Sequence, residues 1–207
     1  MYWHTCGLRI VASAIVLVAT CRSAWAQSAD PGTDRRDWFL AVGFGAGYFG
    51  GPLEIPKLHS DSVLHSPEFL FDGALGYGVV PGVALAANAE LGIGPSPARD
   101  TEAGGIIETI YLAKLGLLAD VYPLERTHFL LGAGFTHAGF NVAQDDDPEG
   151  GVSGESMTGP HFDAGIGYRA GRRFDVSARL DYALLSDAHD DRFQPIGLAI
   201  FLSWIRF

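Results

Sequence analysis

The sequence predicts an all-β protein: an eight-stranded antiparallel up-and-down transmembrane β-barrel behind a cleaved signal peptide. Three observations predict it. Apolar residues recur with a period of two in eight runs bounded by turn signals. The connectors between those runs alternate short and long without exception. The face opposite the large apolar side chains consists of glycine and isolated charges, not of the Thr, Lys, Glu and Arg that a water-facing strand favours.

The first 26 residues read as a leader. Arg9 supplies a short positive flank, Ile10 to Ala19 is an apolar run too short to cross a bilayer comfortably, and Ala24-Trp25-Ala26 is a small-x-small cleavage site. Cleavage is expected after Ala26. Two other readings are an uncleaved anchor and a lipoprotein with Cys21 lipidated, since Val18-Ala19-Thr20-Cys21 comes near the bacterial lipobox. Both cysteines, Cys6 and Cys21, fall in the leader, so the mature chain would be held without disulfides. Residues 27–36 form a short polar linker with Pro31 and Gly32, and the barrel occupies 37–207.

The first run, Asp37 to Tyr48, sets Trp38, Leu40, Val42, Phe44, Ala46 and Tyr48 against Gly43, Gly45 and Gly47. The second, Phe69 to Val79, sets Phe69, Phe71, Leu75 and Tyr77 against Asp72, Gly76 and Gly78. In the third, Val83 to Ile93, Leu85, Leu91 and Ile93 oppose Asn88, Glu90 and Gly92. The fourth, Ile107 to Val121, opposes Tyr111, Leu115 and Leu117 to Glu108, Lys114 and Asp120. Phe129 to His137 and His161 to Arg169 follow, the latter with Asp163 and Arg169 on its weaker face. Phe174 to Leu184 is the cleanest, with Phe174, Val176, Leu180 and Tyr182 against Asp175, Arg179 and Asp181. The eighth is Phe193 to Phe207, whose two faces are both apolar, which leaves its register open.

Pro81-Gly82, the stretch Leu124 to Thr127 and Ala170-Gly171-Arg172 are tight turns. The intervening connectors, Gly50 to Ser66, Gly94 to Gly104, Ala143 to Thr158 and Ser186 to Arg192, are longer or more polar. One end of the barrel is therefore tight and the other elaborated.

Alternation alone fits two barrels. A lipocalin-like soluble barrel turns its large residues inward, whereas a membrane barrel turns them outward into lipid. Glycine on the weaker face suits the cramped interior of eight strands and leaves space for long charged side chains across the lumen. Tyrosine and tryptophan towards the strand ends suit interfacial girdles. These features favour the membrane barrel.

The leader ending in Ala24-Trp25-Ala26, the eight alternating runs, the alternating connectors and the terminal Phe207 resemble the small OmpA/OmpX-type outer-membrane barrels of Gram-negative bacteria. The resemblance covers almost all of the mature chain. It implies outer-membrane location, contact with outer-membrane lipids and lipopolysaccharide, and recognition of the C-terminal Phe207 by the barrel-assembly machinery. Ile205 and Phe201 keep the spacing of that signal, and Ser203 departs from it. The peptidoglycan-binding domain of longer relatives is expected to be absent.

An interior charge network is expected from Asp72, Glu90, Glu108, Lys114, Asp120, Asp163, Arg169, Asp175, Arg179 and Asp181, because buried charges need partners. The same residues could instead line a narrow ion path. His137 points outward by parity and is loosely similar to the histidine of the lipid A deacylase barrels, but Gly139 stands where their nucleophilic serine is sought. The chain is therefore expected not to be an enzyme, with no catalytic residue, metal or cofactor. His59 and His65 read as surface residues of the first long connector. Asp145 to Glu149 and Asp187 to Asp191 are acidic loops whose spacing does not match a calcium loop, although they could bind divalent ions that bridge lipopolysaccharide. A formal net charge of -10 argues against nucleic acid as a partner. The expected role is structural, adhesive or surface-recognising through loops with an unknown ligand. The alternatives are a narrow channel or carrier for small apolar molecules, a lipid-modifying enzyme, and a soluble periplasmic binder.

Overall fold

The computed structural model of the chain describes residues 38–55, 60–95, 105–144, 152–171, 173–188 and 191–206. The leader, the linker, Phe207, and residues 145–151 with their acidic run lie outside the described residues. Ten strands form one antiparallel sheet: β1 (Trp38–Ile55), β2 (Ser60–Val80), β3 (Val83–Pro95), β4 (Gly105–Val121), β5 (Thr127–Gln144), β6 (Val152–Arg169), β7 (Phe174–Ala183), β8 (Leu185–Ser186), β9 (Arg192–Phe193) and β10 (Ile196–Arg206). β7 with β8, and β9 with β10, each make one stave, so the sheet has eight staves. It closes where β1 pairs with β10, from Leu40 opposite Arg206 to Gly50 opposite Ile196.

Closure is staggered. Hydrogen-bonded neighbours followed once round from Phe44 run through Phe71, Leu91, Ala113, His137, Thr158, Ser186 and Arg192. They return to β1 at Glu54, ten residues further on. A stagger of that size on eight staves tilts the strands by roughly 40–45°. The tight end carries the turn at Pro81-Gly82, where Gly82 takes a φ of 78° that a side-chain-bearing residue rarely adopts. The Gly82 carbonyl also accepts the Tyr122 amide at 2.8 Å, which ties two neighbouring turns together.

Large apolar side chains face outward over the central part of every stave. Phe69 is 70% exposed, Leu117 71% and Phe135 67%. Phe174, Val176, Leu180 and Tyr182 lie outside while Asp175 and Arg179 are buried within, the reverse of a soluble lipocalin-like barrel. Two aromatic girdles bound this band. Trp38, Tyr77, Tyr168, Phe174 and Trp204 form the one at the short-turn end, with Trp38 and Tyr77 in ring contact at 5.3 Å. Tyr48, Tyr111 and Tyr182 form the other. Ten residues separate Trp38 from Tyr48 on β1. At about 3.3 Å per residue and a tilt near 45° they stand about 23 Å apart along the axis, the height of a hydrocarbon core in barrels of this kind.

The strands do not stop at the second girdle, as the sequence pattern led one to expect. β1 runs on to Ile55 and β2 starts at Ser60, so most of the stretch Gly50 to Ser66 is strand rather than connector. β5 and β6 likewise extend to Gln144 and from Val152, where the sequence reading places connector from Ala143 to Thr158. His65 sits on β2, facing outward and stacked on Tyr48, and is not a loop residue. Beyond the girdle the two faces exchange character. Pro52, His65, Ser156, Ser186 and Arg192 are exposed outside, while Phe49, Leu53, Leu64, Ile110, Phe140, Met157, Leu185 and Phe193 pack inside. The upper barrel is built like a water-soluble one and the lower barrel like a membrane one.

The last stave settles its register with Phe201, Ser203 and Ile205 in the lumen and Leu198, Ile200 and Leu202 outside. Leu117→Arg, midway across the apolar band, is expected to cost about 2–4 kcal/mol, and Ser186→Arg beyond the girdle about 1 kcal/mol or less. Urea unfolding of the folded barrel in lipid vesicles checks both.

Candidate functional site

The lumen is stacked in four layers. At the short-turn end His128 lies between two carboxylates, with Nδ1 at 2.5 Å from Asp120 Oδ1 and Nε2 at 2.8 Å from Asp175 Oδ1. Both ring nitrogens donate only when the imidazole carries its second proton. Tyr122 stacks on the ring at 4.8 Å, donates its hydroxyl to Asp120 Oδ2 and accepts from Arg169 Nη2 at 2.8 Å. The clamp draws on β4, β5, β6 and β7 together with the 122–126 turn. Gly167 is what admits it, because a β-carbon there would overlap the imidazole.

The second layer is a belt of small and branched apolar residues, Ala41, Ala74, Ala86, Leu118, Leu130 and Ile205, with Phe39 packed against it. Their small volume leaves a cavity of about 60 Å³ bounded by the clamp below and by Asp72 and Arg179 above.

The third layer is ionic. Lys114 Nζ lies 2.9 Å from Glu90 Oε1 and 3.2 Å from Asp181 Oδ1. Arg179 holds Asp72 Oδ2 at 3.0 Å and approaches Glu90 Oε2 at 3.6 Å, with its guanidinium 4.3 Å from the Phe201 ring centroid. His161 links Thr136 Oγ1 at 2.9 Å to Asp163 Oδ2 at 3.3 Å. Glu68 is buried beside Gly47 and Gly92. Hydrogen bonds and opposite charges here replace the water that the hydrocarbon outside cannot supply. The fourth layer is the apolar cluster above the girdle, where Phe193 meets Phe49 at 6.3 Å and Phe140 at 5.9 Å, both edge to face.

Of the charges picked from the sequence, Asp72, Glu90, Lys114, Asp163, Arg179 and Asp181 meet in the ionic layer, and Asp120, Arg169 and Asp175 meet in the clamp. Glu108 occupies a β-bulge, where the β4–β5 register shifts between Ile107 and Thr109, and its side chain lies outside the described ones. Glu68, His128 and His161 were missed as network members. Glu68 and His128 stand one residue before the runs Phe69 to Val79 and Phe129 to His137, on the parity of the inward face, and that parity was the available signal.

On the outer wall, His137 Nδ1 lies 3.1 Å from Thr158 Oγ1 and its ring is 6.0 Å from Tyr111. The Tyr111 ring covers Gly139. Among the described residues the polar partner of His137 is the Thr158 hydroxyl. Asp187 does not extend freely into solvent: its Oδ1 accepts the Asp191 amide at 2.9 Å, and Asp191 is buried.

A closed ring of eight tilted staves, with an apolar girdled exterior and a charged interior, defines a small transmembrane β-barrel. Solved structures of outer-membrane proteins share the fold. Neisserial surface protein A superposes with a TM-score of 0.61 at 12% identity, over 80% of this chain and 96% of that one. Ail, the attachment invasion locus protein of Yersinia pestis, solved with the heparin analogue sucrose octasulfate, superposes with a TM-score of 0.52 at 11% identity, over 81% and 99%. No protein-family model and no curated protein matches the sequence.

Lys114→Met strands Glu90 and Asp181 in the lumen and is expected to cost about 3–5 kcal/mol, the usual penalty for breaking a buried pair from one side. Replacing Lys114 and Glu90 together by apolar residues of similar size should recover part of that loss. Urea unfolding in vesicles reads both.

Proposed function

We propose that this protein resides in the outer membrane of a Gram-negative cell and presents recognition loops on a sealed, raised rim, in an adhesive or surface-binding role. The observation that carries the reading is the apolar plug. Phe49, Phe140 and Phe193 fill the lumen beyond the outer girdle, so the long-connector end offers a surface rather than a mouth. On this reading the short turns face the periplasm, lipopolysaccharide surrounds the girdle of Tyr48, Tyr111 and Tyr182, and the assembly machinery reads Phe207.

Charge suggests the chemistry of the partner. The connectors carry Asp145, Asp146, Asp147 and Glu149, and the whole chain has a formal net charge of -10. The Ail structure holds a polyanion, a heparin analogue. Acidic connectors favour the opposite, a cationic partner such as a basic protein surface, because complementary potentials steer association and like charges suppress it.

The channel alternative has less support. The plug blocks the axis, and the cavity of about 60 Å³ is smaller than the roughly 150 Å³ that admits benzene in an engineered protein cavity.

Two outcomes test the reading. Cells displaying the barrel should bind a lysine-rich peptide surface and not a sulfated polysaccharide, with binding falling steeply with salt. Replacing the four acidic residues of 145–149 by Ser and Asn should remove that binding; unchanged binding would sink the loop assignment. In planar bilayers the folded barrel should show no steady conductance, and a stable open level would favour the channel.

A further inference from the structure

The cavity between the His128 clamp and the ionic layer is not filled by protein, and its largely apolar wall carries polar groups at both ends. Its upper wall carries Asp72 and Arg179, 4% and 8% exposed. Each keeps a buried polar atom without a protein partner, Asp72 Oδ1 and Arg179 Nε, although the two residues pair through Oδ2 and Nη2. Its lower wall carries the clamp, and its sides are the methyls of Ala41, Ala74 and Ala86. A buried carboxylate oxygen and a guanidinium N–H left unbonded are costly, and a protein supplies bound water where the space and the polar partners allow it. By the measure that gives about 60 Å³, one water needs about 10–15 Å³, so the space holds up to about four.

We propose that this cavity is a hydration site, a short chain of water that reaches from the clamp to the Asp72–Arg179 pair and ends there. The two sides of the ionic layer differ in kind. Towards the short turns the walls run down past Phe39, Gly78 and Ala84 to the rim, and the polar contacts of His128, Tyr122 and Arg169 stand across the way. Towards the long connectors lies the plug, with Phe193 and Ala138 fully buried, and Ser66, buried opposite Phe49, has its hydroxyl taken up by the Pro95 carbonyl at 2.6 Å. Water therefore enters from the short-turn side alone, and the mid-membrane ion pairs share the solvent of one compartment. The clamp is the gate of this inlet. His128 bonds across to both Asp120 and Asp175, and its ring, stacked on Tyr122, lies between the two carboxylates.

Magnetisation transfer from water to alanine methyls, recorded on the folded barrel in lipid nanodiscs, tests this directly. Signals are expected at Ala74 and Ala86 and not at Ala138 and Ala183, which lie in the plug. Silence at Ala74 and Ala86 would overturn the hydration site. Equal signals at Ala138 and Ala183 would overturn its blind end. The gate has its own readout: His128→Ala should speed exchange of the cavity water about tenfold, the factor of a 1.4 kcal/mol lower barrier. Phe193→Ala should leave the exchange unchanged. Acceleration by Phe193→Ala and not by His128→Ala would place the inlet at the other end. Should either variant fail to fold, the unmodified barrel still decides between a wet and a dry cavity.

Discussion

Everything in this structure rests on the closure of β1 against β10. Inside hydrocarbon no water is present to bond an edge strand, so a sheet that spans a membrane must return on itself. The eleven paired positions from Leu40 to Gly50 of β1 do that work against Arg206 to Ile196. Once the ring is closed with a ten-residue stagger, the interior is fixed at the width of eight tilted staves. The remaining choices follow from that width: which side chains are small, where charges can reach one another, and which end can be filled.

The interior solves two different problems at two heights. Between the girdles the outer face must be apolar, so the alternate positions inherit whatever polar chemistry the barrel has. The result is the Lys114–Glu90–Asp181 and Arg179–Asp72 set, drawn from β2, β3, β4 and β7. Lys114 and Glu90 stand directly opposite each other on paired β4 and β3, whereas Lys114–Asp181 and Arg179–Asp72 cross the lumen between strands that are not hydrogen-bonded neighbours, so a slipped strand would leave a charge unmatched. Ion pairs of this kind contribute little net stability, yet a mispaired alternative is costly, which is a way of specifying register. Beyond the outer girdle the lipid constraint lifts, water returns to the outer face, and the lumen becomes the only place to bury apolar surface. Phe49, Phe140 and Phe193 occupy it.

That change of regime explains what was legible in the sequence. From Leu40 to Tyr48 the large residues keep even parity, and the run was plain. At Phe49 the large residue moves to odd parity, followed by Leu53, and the period-two pattern breaks although the strand continues. The same slip separates Phe135 from Phe140 on β5 and Phe162 from Met157 on β6. A reading that follows a single alternation stops the strand at the membrane boundary and assigns the rest to connector. The charges were legible because lipid-facing parity sorts them automatically. Their pairing across the lumen was not: Glu90 meets Lys114 from the neighbouring strand, but Asp181 reaches it from a strand that is not its neighbour, and sequence distance carries no information about that. The histidines were hardest: His128, His137 and His161 have the same side chain, and only height and parity place one in the clamp, one against Tyr111 and one beside Asp163.

The glycines tie these levels together. Eight staves give too little room for a full inner row of side chains, so a large or charged residue can cross the lumen only where its neighbours give way. Gly167 gives way to His128, Gly47 and Gly92 to Glu68, and Gly197 to Asp181. Each such pair is a partnership between an empty position and a filled one on adjacent strands. The high glycine content is thus the complement of the charge network, and the two were selected by one geometric limit. A β-carbon at Gly167 would collide with the imidazole that bridges Asp120 and Asp175, although that glycine makes no polar contact itself. The chemistry of the clamp is therefore written as much in what β6 omits as in what β4, β5 and β7 supply.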